Sequence, residues 1–223
     1  MATSSDQNDI RITVLISGNG SNLQALIDAC KTPQLPSTQI VRVVSNRKEA
    51  YGLLRAQSAG ISTTYHNLVR YKKQQSTSEE GVQIARRVYD LDLAKIILND
   101  SPHLVVCAGW MHILSAAFVE TLQNVMVPII NLHPALPGHF SGADAIHRAY
   151  LAFQAGEIKH TGVMIHKVIN EVDMGEPVVT REVPLTQGES EEDVEKKIHN
   201  VEWELIIEGT AKTIESIRAR SGA

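Results

Sequence analysis

The feature that most constrains this chain is the order in which its apolar runs change period. ITVLIS (12–17) is a compact β-branched run, and a Gly-rich turn separates it from NLQALIDAC, whose apolar residues fall at helical spacing. The same order returns in QIVRVVS (39–45) before EAYGLLRAQSAG (49–60), in STTYH before a helix over 79–99, and in HLVVCAG (103–109) before SAAFVETLQ. Strands that alternate with helices pair through crossovers. The pattern therefore predicts an α/β fold, a Rossmann-like and mostly parallel sheet with helices on both faces. A fifth run, VPIINL, leads into a helix expected over 142–156, and then the rhythm changes. TGVMIHKVIN (161–170) and EPVVTREVP (176–184) alternate apolar and polar residues around a turn, which predicts an antiparallel C-terminal extension of the sheet. SEEDVEKKIHNVEWELIIEGTAKTIESI opens on a Ser with acids in its first turn, the start of a long terminal helix.

At 223 residues, 43% of them hydrophobic, the chain can fill one continuous core but would be cramped as two domains. A single domain over 10–220 is expected, after a disordered lead over 1–9 and with a mobile surface loop at 71–81. The formal charge of -4 and the scattered Lys and Arg residues give no footprint for nucleic acid. No apolar run approaches about 18 residues, and MATSSDQNDIR is polar and acidic where a signal peptide is basic and then apolar. No membrane partner and a cytoplasmic location follow as expectations. Cys30 and Cys107, both in apolar segments, read as reduced buried thiols, and neither they nor the histidine spacing suggest a metal site.

SGNGSN (17–22) lies between the first strand and the first helix, where backbone N–H groups and a helix dipole make an anion site. Its spacing fits neither common nucleotide template: Leu23 stands where a dinucleotide fingerprint needs Gly, and no Lys follows as in a P-loop. A lone pair of glycines also serves simply as a tight turn. Ser21 and Asn22 add a hydroxyl and a helix-capping amide at the same mouth, and favour a phosphomonoester.

IINLHPALPGHF (129–140) puts Asn131 and His133 two apart at a strand end, hence on one side of it, and Pro134 and Pro137 delay the next helix. Ligands of parallel sheets bind outside the carboxyl ends of the strands. An amide donor for an oxyanion beside an imidazole that exchanges protons near neutrality suits acyl transfer. The pair also reads as a structural hydrogen bond unless a third group joins it. Asp173, in the Gly-containing turn EVDMGEP (171–177), is the candidate, since a carboxylate there would raise the imidazole pKa and orient a water. An Asp before a Gly also commonly just caps its turn.

ISGNGSNLQALIDA, SNRKEAYGLLRA, VVCAGWMHILS, INLHPALPG and VDMGEPV, in this order, make the chain resemble the phosphoribosylglycinamide formyltransferases in their fungal-like monofunctional form, over 11–215. The resemblance implies transfer of a formyl group from the co-substrate 10-formyltetrahydrofolate to glycinamide ribonucleotide, without a metal. It implies that Gly18, Asn19, Gly20, Ser21 and Asn22 hold the ribonucleotide phosphate and that Asn131, His133 and Asp173 are catalytic. Trp110, Met111, His112, Ile113 and Leu114, with Leu132, Glu171 and Val172, are implied in folate binding, and Glu202 with His199 in binding the ribonucleotide. Arg86 is a candidate partner for the folate glutamate tail. His112 stands where many relatives carry Arg, and Asp144 where they carry His, so no role passes to Asp144. His66, His103, His139, His147, His160 and His166 receive no role, and Trp203 reads as helix packing. A monomer or weak homodimer is expected. The rival readings are a 10-formyltetrahydrofolate hydrolase, a methionyl-tRNA formyltransferase, which would be expected to carry a basic C-terminal module, and a non-catalytic sensor of a phosphorylated metabolite.

Overall fold

The computed structural model describes residues 9–221, so the expected disordered lead lies, apart from Asp9, outside the described residues. Five parallel strands come first, β1 (Ile10–Ile16), β2 (Thr38–Ser45), β3 (Ser62–Tyr65), β4 (Leu104–Cys107) and β5 (Ile129–His133), and β6 (His160–Lys167) and β7 (Pro177–Pro184) follow antiparallel. They form one seven-stranded sheet in the order β3-β2-β1-β4-β5-β6-β7. The helices are α1 (Ser21–Ala29), α2 (Tyr51–Ser58), α3 (Leu68–Lys72), α4 (Glu79–Leu98), α5 (Ala116–Asn124), α6 (Ala145–Gln154) and α7 (Glu191–Ser221).

Successive side chains of a strand point to opposite faces, and β1 shows why its sequence is apolar throughout. Ile12, Val14 and Ile16 enter a core shared with Leu23 and Leu26 of α1 and with Ile198, Leu205 and Ile206 of α7. Leu15, from the same strand, enters a second core with Tyr89, Leu93 and Ile97 of α4 and Phe118 and Leu122 of α5. Gly209 lets α7 lie close on β6, since a Cβ there would come within 2.7 Å of Ile165. α7 starts as its sequence suggests: Ser190 Oγ accepts from the Asp193 N–H, and Asp193 Oδ2 accepts from the Ser190 N–H.

Three local readings change. α3 occupies the start of the expected 71–81 loop, capped by Asn67, whose Oδ1 accepts from the Val69 N–H at 2.8 Å. Five residues are too few to display a helical period. The helix expected from 142 begins only at Ala145, because Gly142 and Asp144 take left-handed backbone with φ of 86° and 55°. Cys30 is only partly buried, while Cys107 is buried. Burial pushes the two thiols up to about 11 and about 12, respectively. Among the described residues no helix is long and apolar enough to cross a membrane.

Candidate active site

The strand order reverses between β1 and β4: the chain runs outward to β2 and β3 on one side, and to β5 and beyond on the other. Loops leaving the two strands must part there, and a crevice opens at their carboxyl ends. A cleft of about 790 Å³ occupies that position. It is lined by the Gly-rich loop after β1, the 107–114 segment after β4, the end of β5, the 168–173 turn and one side of α7.

The Gly-rich loop is shaped by a close backbone approach. Gly20, the N-cap of α1, has φ 76°, and a Cβ on it would lie 2.6 Å from the Gly52 Cα at the start of α2. Gly52 in turn donates its N–H to Gly18 O at 3.2 Å. Arg55 braces the loop from outside, donating to Asn19 O and Asn19 Oδ1, each at 3.0 Å. Asn22 does not cap the helix as its position suggests. Its Nδ2 instead donates to Glu202 Oε2 at 3.0 Å, across to α7. Glu202 is 5% exposed, and burial pushes its carboxyl up, with Glu195 adding to the rise while Asn22 and His199 oppose it. His199 lines the same end of the cleft, about one turn earlier on α7.

The second wall is anchored by residues that spacing did not single out. Ser17 Oγ accepts from the Met111 N–H at 2.8 Å. Asp90 of α4, fully buried, takes the Ser115 N–H at 2.8 Å and meets His112 Nε2 at 2.8 Å. These contacts tie the 110–114 segment to α4 at one end and to β1 at the other. Met111 and Ile113 remain exposed at the mouth, an apolar rim for a flat ring. The only sequence signal for Asp90 was a carboxylate within the apolar stripe of Tyr89, Leu93 and Ile97.

At the third wall, Asn131, His133 and Asp173 converge. Asn131 Nδ2 lies 3.4 Å from Asp173 Oδ1, and His133 Nδ1 lies 3.5 Å from Asp173 Oδ2. The Gly142 N–H donates to Asp173 Oδ2 at 2.8 Å, and Phe140 O accepts from His133 Nε2 at 3.2 Å and from Arg148 Nη2. Asp173 itself has φ 57°, so a strained turn carries the carboxylate. Burial alone would raise that carboxyl, but the His166 ring, the Gly142 N–H and the nearby His133 together hold it below the usual carboxylate range. The rise in the His133 pKa expected from Asp173 is outweighed. Burial lowers the His133 pKa by more than Asp173 raises it, with His166 and Arg148 also opposing protonation, so the ring sits below the ordinary histidine value. His166, given no role from sequence, completes this wall, with Nε2 3.1 Å from Asn131 Nδ2 and 3.4 Å from Asp173 Oδ1.

One cleft thus gathers Gly18 to Asn22, Trp110 to Leu114, Asn131, Leu132, His133, Glu171, Val172, Asp173, His199 and Glu202. Arg86 lies one turn before Asp90 on α4, away from the cleft lining, so its expected contact with a glutamate tail gains no support. Among the described residues, no three His, Cys, Asp or Glu side chains are grouped to hold a metal.

Comparison with known proteins bears on this arrangement. The formyl transferase family model matches residues 10–210. The phosphoribosylglycinamide formyltransferase of Schizosaccharomyces pombe is 49% identical over 204 residues, 91% of this chain and 96% of the relative. Its counterpart in Saccharomyces cerevisiae is 44% identical, over 93% of this chain and 98% of the relative. The crystal structure of glycinamide ribonucleotide transformylase 1 from Symbiobacterium toebii superposes with a TM-score of 0.80 at 30% identity, covering 96% of this chain and 94% of that one.

Proposed function

Because the chain belongs to the formyl transferase family, we propose that Asn131, His133 and Asp173 carry the chemistry of the cleft described above. The reaction is the one its relatives are named for: the formyl group of 10-formyltetrahydrofolate passes to the amine of glycinamide ribonucleotide, in purine biosynthesis. The observation that carries the residue assignment is the meeting of these three side chains in the cleft that also holds the Gly-rich loop.

The ribonucleotide phosphate docks on the N–H groups of the 18–22 loop, and Glu202 and His199 face the sugar end. The pterin lies along the 110–114 segment, against Leu132 and the backbone of Glu171 and Val172. The substrate amine then attacks the formyl carbon, forming the C–N bond while the carbonyl electron pair moves onto oxygen. Asn131 Nδ2–H donates to that oxyanion. His133 is held largely neutral by burial; as negative charge grows beside it, it takes one proton from solvent, hydrogen-bonds the oxyanion, and returns that proton when the carbonyl re-forms. Asp173 steadies the imidazolium and holds a water that carries the proton from the attacking nitrogen to the folate nitrogen as the old C–N bond breaks.

One sheet running through the described chain supports a single domain over 10–220. All the assigned residues lie on one chain, which fits a monomer or weak homodimer. Two unpaired thiols fit the reducing cytoplasm.

The test is an absorbance assay of folate deformylation with and without glycinamide ribonucleotide. Ribonucleotide-dependent turnover is expected, and Asn131→Ala should lower kcat about 100- to 1000-fold. Ribonucleotide-independent turnover would point instead to hydrolysis, and no turnover to a phosphometabolite-binding role. Near-normal kcat in both Asn131→Ala and His133→Ala would refute the assignment of the trio.

A further inference from the structure

We propose that His166 is a positioning residue for Asn131: its neutral ring, protonated on Nδ1, accepts one Asn131 N–H at Nε2 and so aims the amide at the reacting carbonyl. The inference rests on the reading of Asn131 as the oxyanion donor.

The antiparallel register of β5 and β6 places Asn131 directly opposite His166, and the imidazole is 2% exposed. Its two nitrogens meet different chemistry. Nδ1 lies 2.9 Å from Lys167 O, and a carbonyl oxygen only accepts, so Nδ1 carries a hydrogen. Nε2 lies 3.1 Å from Asn131 Nδ2, and an amide nitrogen only donates. Donor faces acceptor there only if Nε2 is bare, so the shorter Asn131 contact selects the neutral Nδ1–H tautomer over the Nε2–H form that Asp173 Oδ1, at 3.4 Å, would favour.

A doubly protonated ring would set two donors against each other at 3.1 Å. Its Nε2–H would turn to Asp173 Oδ1 at 3.4 Å, and the Asn131 amide would have to rotate, bringing its oxygen to the ring. The side chain would then face the cleft with its polarity reversed. The ionisable groups facing His166 are Asp173 in the 171–176 turn and His133 at the end of β5, and both belong to the same wall. The neutral tautomer is held from behind. Gly175 lets the turn pass so close to β6 that a Cβ on it would lie 1.7 Å from Lys167 O, the acceptor for Nδ1.

The amide has two N–H bonds. One is fixed on His166, and the other points toward Asp173 Oδ1 at 3.4 Å, long enough to yield to a charged oxyanion. Without the first anchor the side chain gains rotamers in which no N–H reaches the carbonyl. Such misplacement by about 1 Å costs up to about 100-fold in rate.

Two measurements test this. Nitrogen-15 NMR of the histidine rings at neutral pH, with the His166 signals identified by their loss in His166→Gln, should show the Nδ1–H tautomer. An Nε2–H or doubly protonated ring would overturn the inference. Kinetically, His166→Phe should lower kcat about 10- to 100-fold with KM for both substrates within about threefold. His166→Gln, which returns an acceptor oxygen, should recover most of that loss. In an Asn131→Ala background, His166→Phe should change kcat by less than about twofold, because its effect runs through the missing amide. Multiplying effects, or a Gln variant no better than Phe, would sink the inference while leaving the trio intact. Full activity of Asn131→Ala alone would instead sink the oxyanion assignment. If His166→Phe fails to fold, the tautomer measured in the unmodified protein decides.

Discussion

Replacing Gly175 with Ala tests how tightly the active-site turn is set. Gly175 is buried, and an added Cβ would lie 1.7 Å from Lys167 O and 2.8 Å from Lys167 C. A normal carbon-to-carbonyl-oxygen contact is about 3.3 Å or more, so one partner must retreat by roughly 1.5 Å. Lys167 ends β6, paired with Ile130 of β5, and its own N–H bonds to Glu176 O at 3.0 Å, so the strand has little freedom. The turn moves instead, and it carries Asp173 two residues away. At 3.5 Å from His133 Nδ1 and 3.4 Å from His166 Nε2, Asp173 has no slack before both contacts are lost. Overpacking of this kind costs roughly 1–3 kcal/mol of stability, and misplacing a reacting group by about 1 Å costs about 100-fold in rate. Gly175→Ala should therefore fold with a lowered Tm and a kcat reduced about 100-fold. Its KM for glycinamide ribonucleotide should stay within a few-fold, because the Gly-rich loop proposed to hold the phosphate follows β1 and is not part of that turn. The assays are ribonucleotide-dependent deformylation and thermal unfolding by circular dichroism. A variant with kcat within twofold of the parent and an unchanged Tm would refute the reasoning.

Gly20→Ala should show the complementary pattern. The left-handed φ of 76° and the 2.6 Å approach to the Gly52 Cα both resist a side chain, so KM for glycinamide ribonucleotide should rise at least tenfold with a smaller change in kcat, measured in the same assay. Glu202→Gln should raise stability while weakening ribonucleotide binding. Burial raises the Glu202 pKa above its unfolded value, so the parent has its full stability below the unfolded pKa and loses some as pH rises through the folded one. Gln keeps an acceptor for Asn22 and does not ionise. The Tm advantage of Glu202→Gln should thus be near zero around pH 4 and positive at pH 7 to 8, in unfolding scans across pH; an advantage that shrinks with rising pH would contradict the sign.

The sheet was legible because period and order survive in one dimension. ITVLIS, QIVRVVS and HLVVCAG are strands in the structure to within two residues at either end, and β6 and β7 were marked by their alternation. Asn131, His133 and Asp173 were marked as candidates by an amide and an imidazole two apart at a strand end with a turn carboxylate as third group, and by the family resemblance; the structure brings the three side chains together. The approach of His166 to Asn131 was not legible, because it depends on the antiparallel register that sets the two residues opposite each other. Asp90 was hidden for a related reason, since it acts across the packing of α4 on the 110–114 segment. The lowered pKa of His133 was not legible because a neighbouring carboxylate can be read from residue types, whereas the burial that outweighs it cannot. Asn22 looked like a helix cap until α7 brought Glu202 within 3.0 Å.

The most direct measurement is a crystal structure of the protein with glycinamide ribonucleotide and a hydrolysis-resistant 10-formyl folate analogue bound together. The account predicts the phosphate against the N–H groups of the 18–22 loop and the formyl oxygen within hydrogen-bond reach of both Asn131 Nδ2 and the His133 ring. A formyl group resting beyond the reach of both side chains, with the phosphate on any other surface, would contradict it.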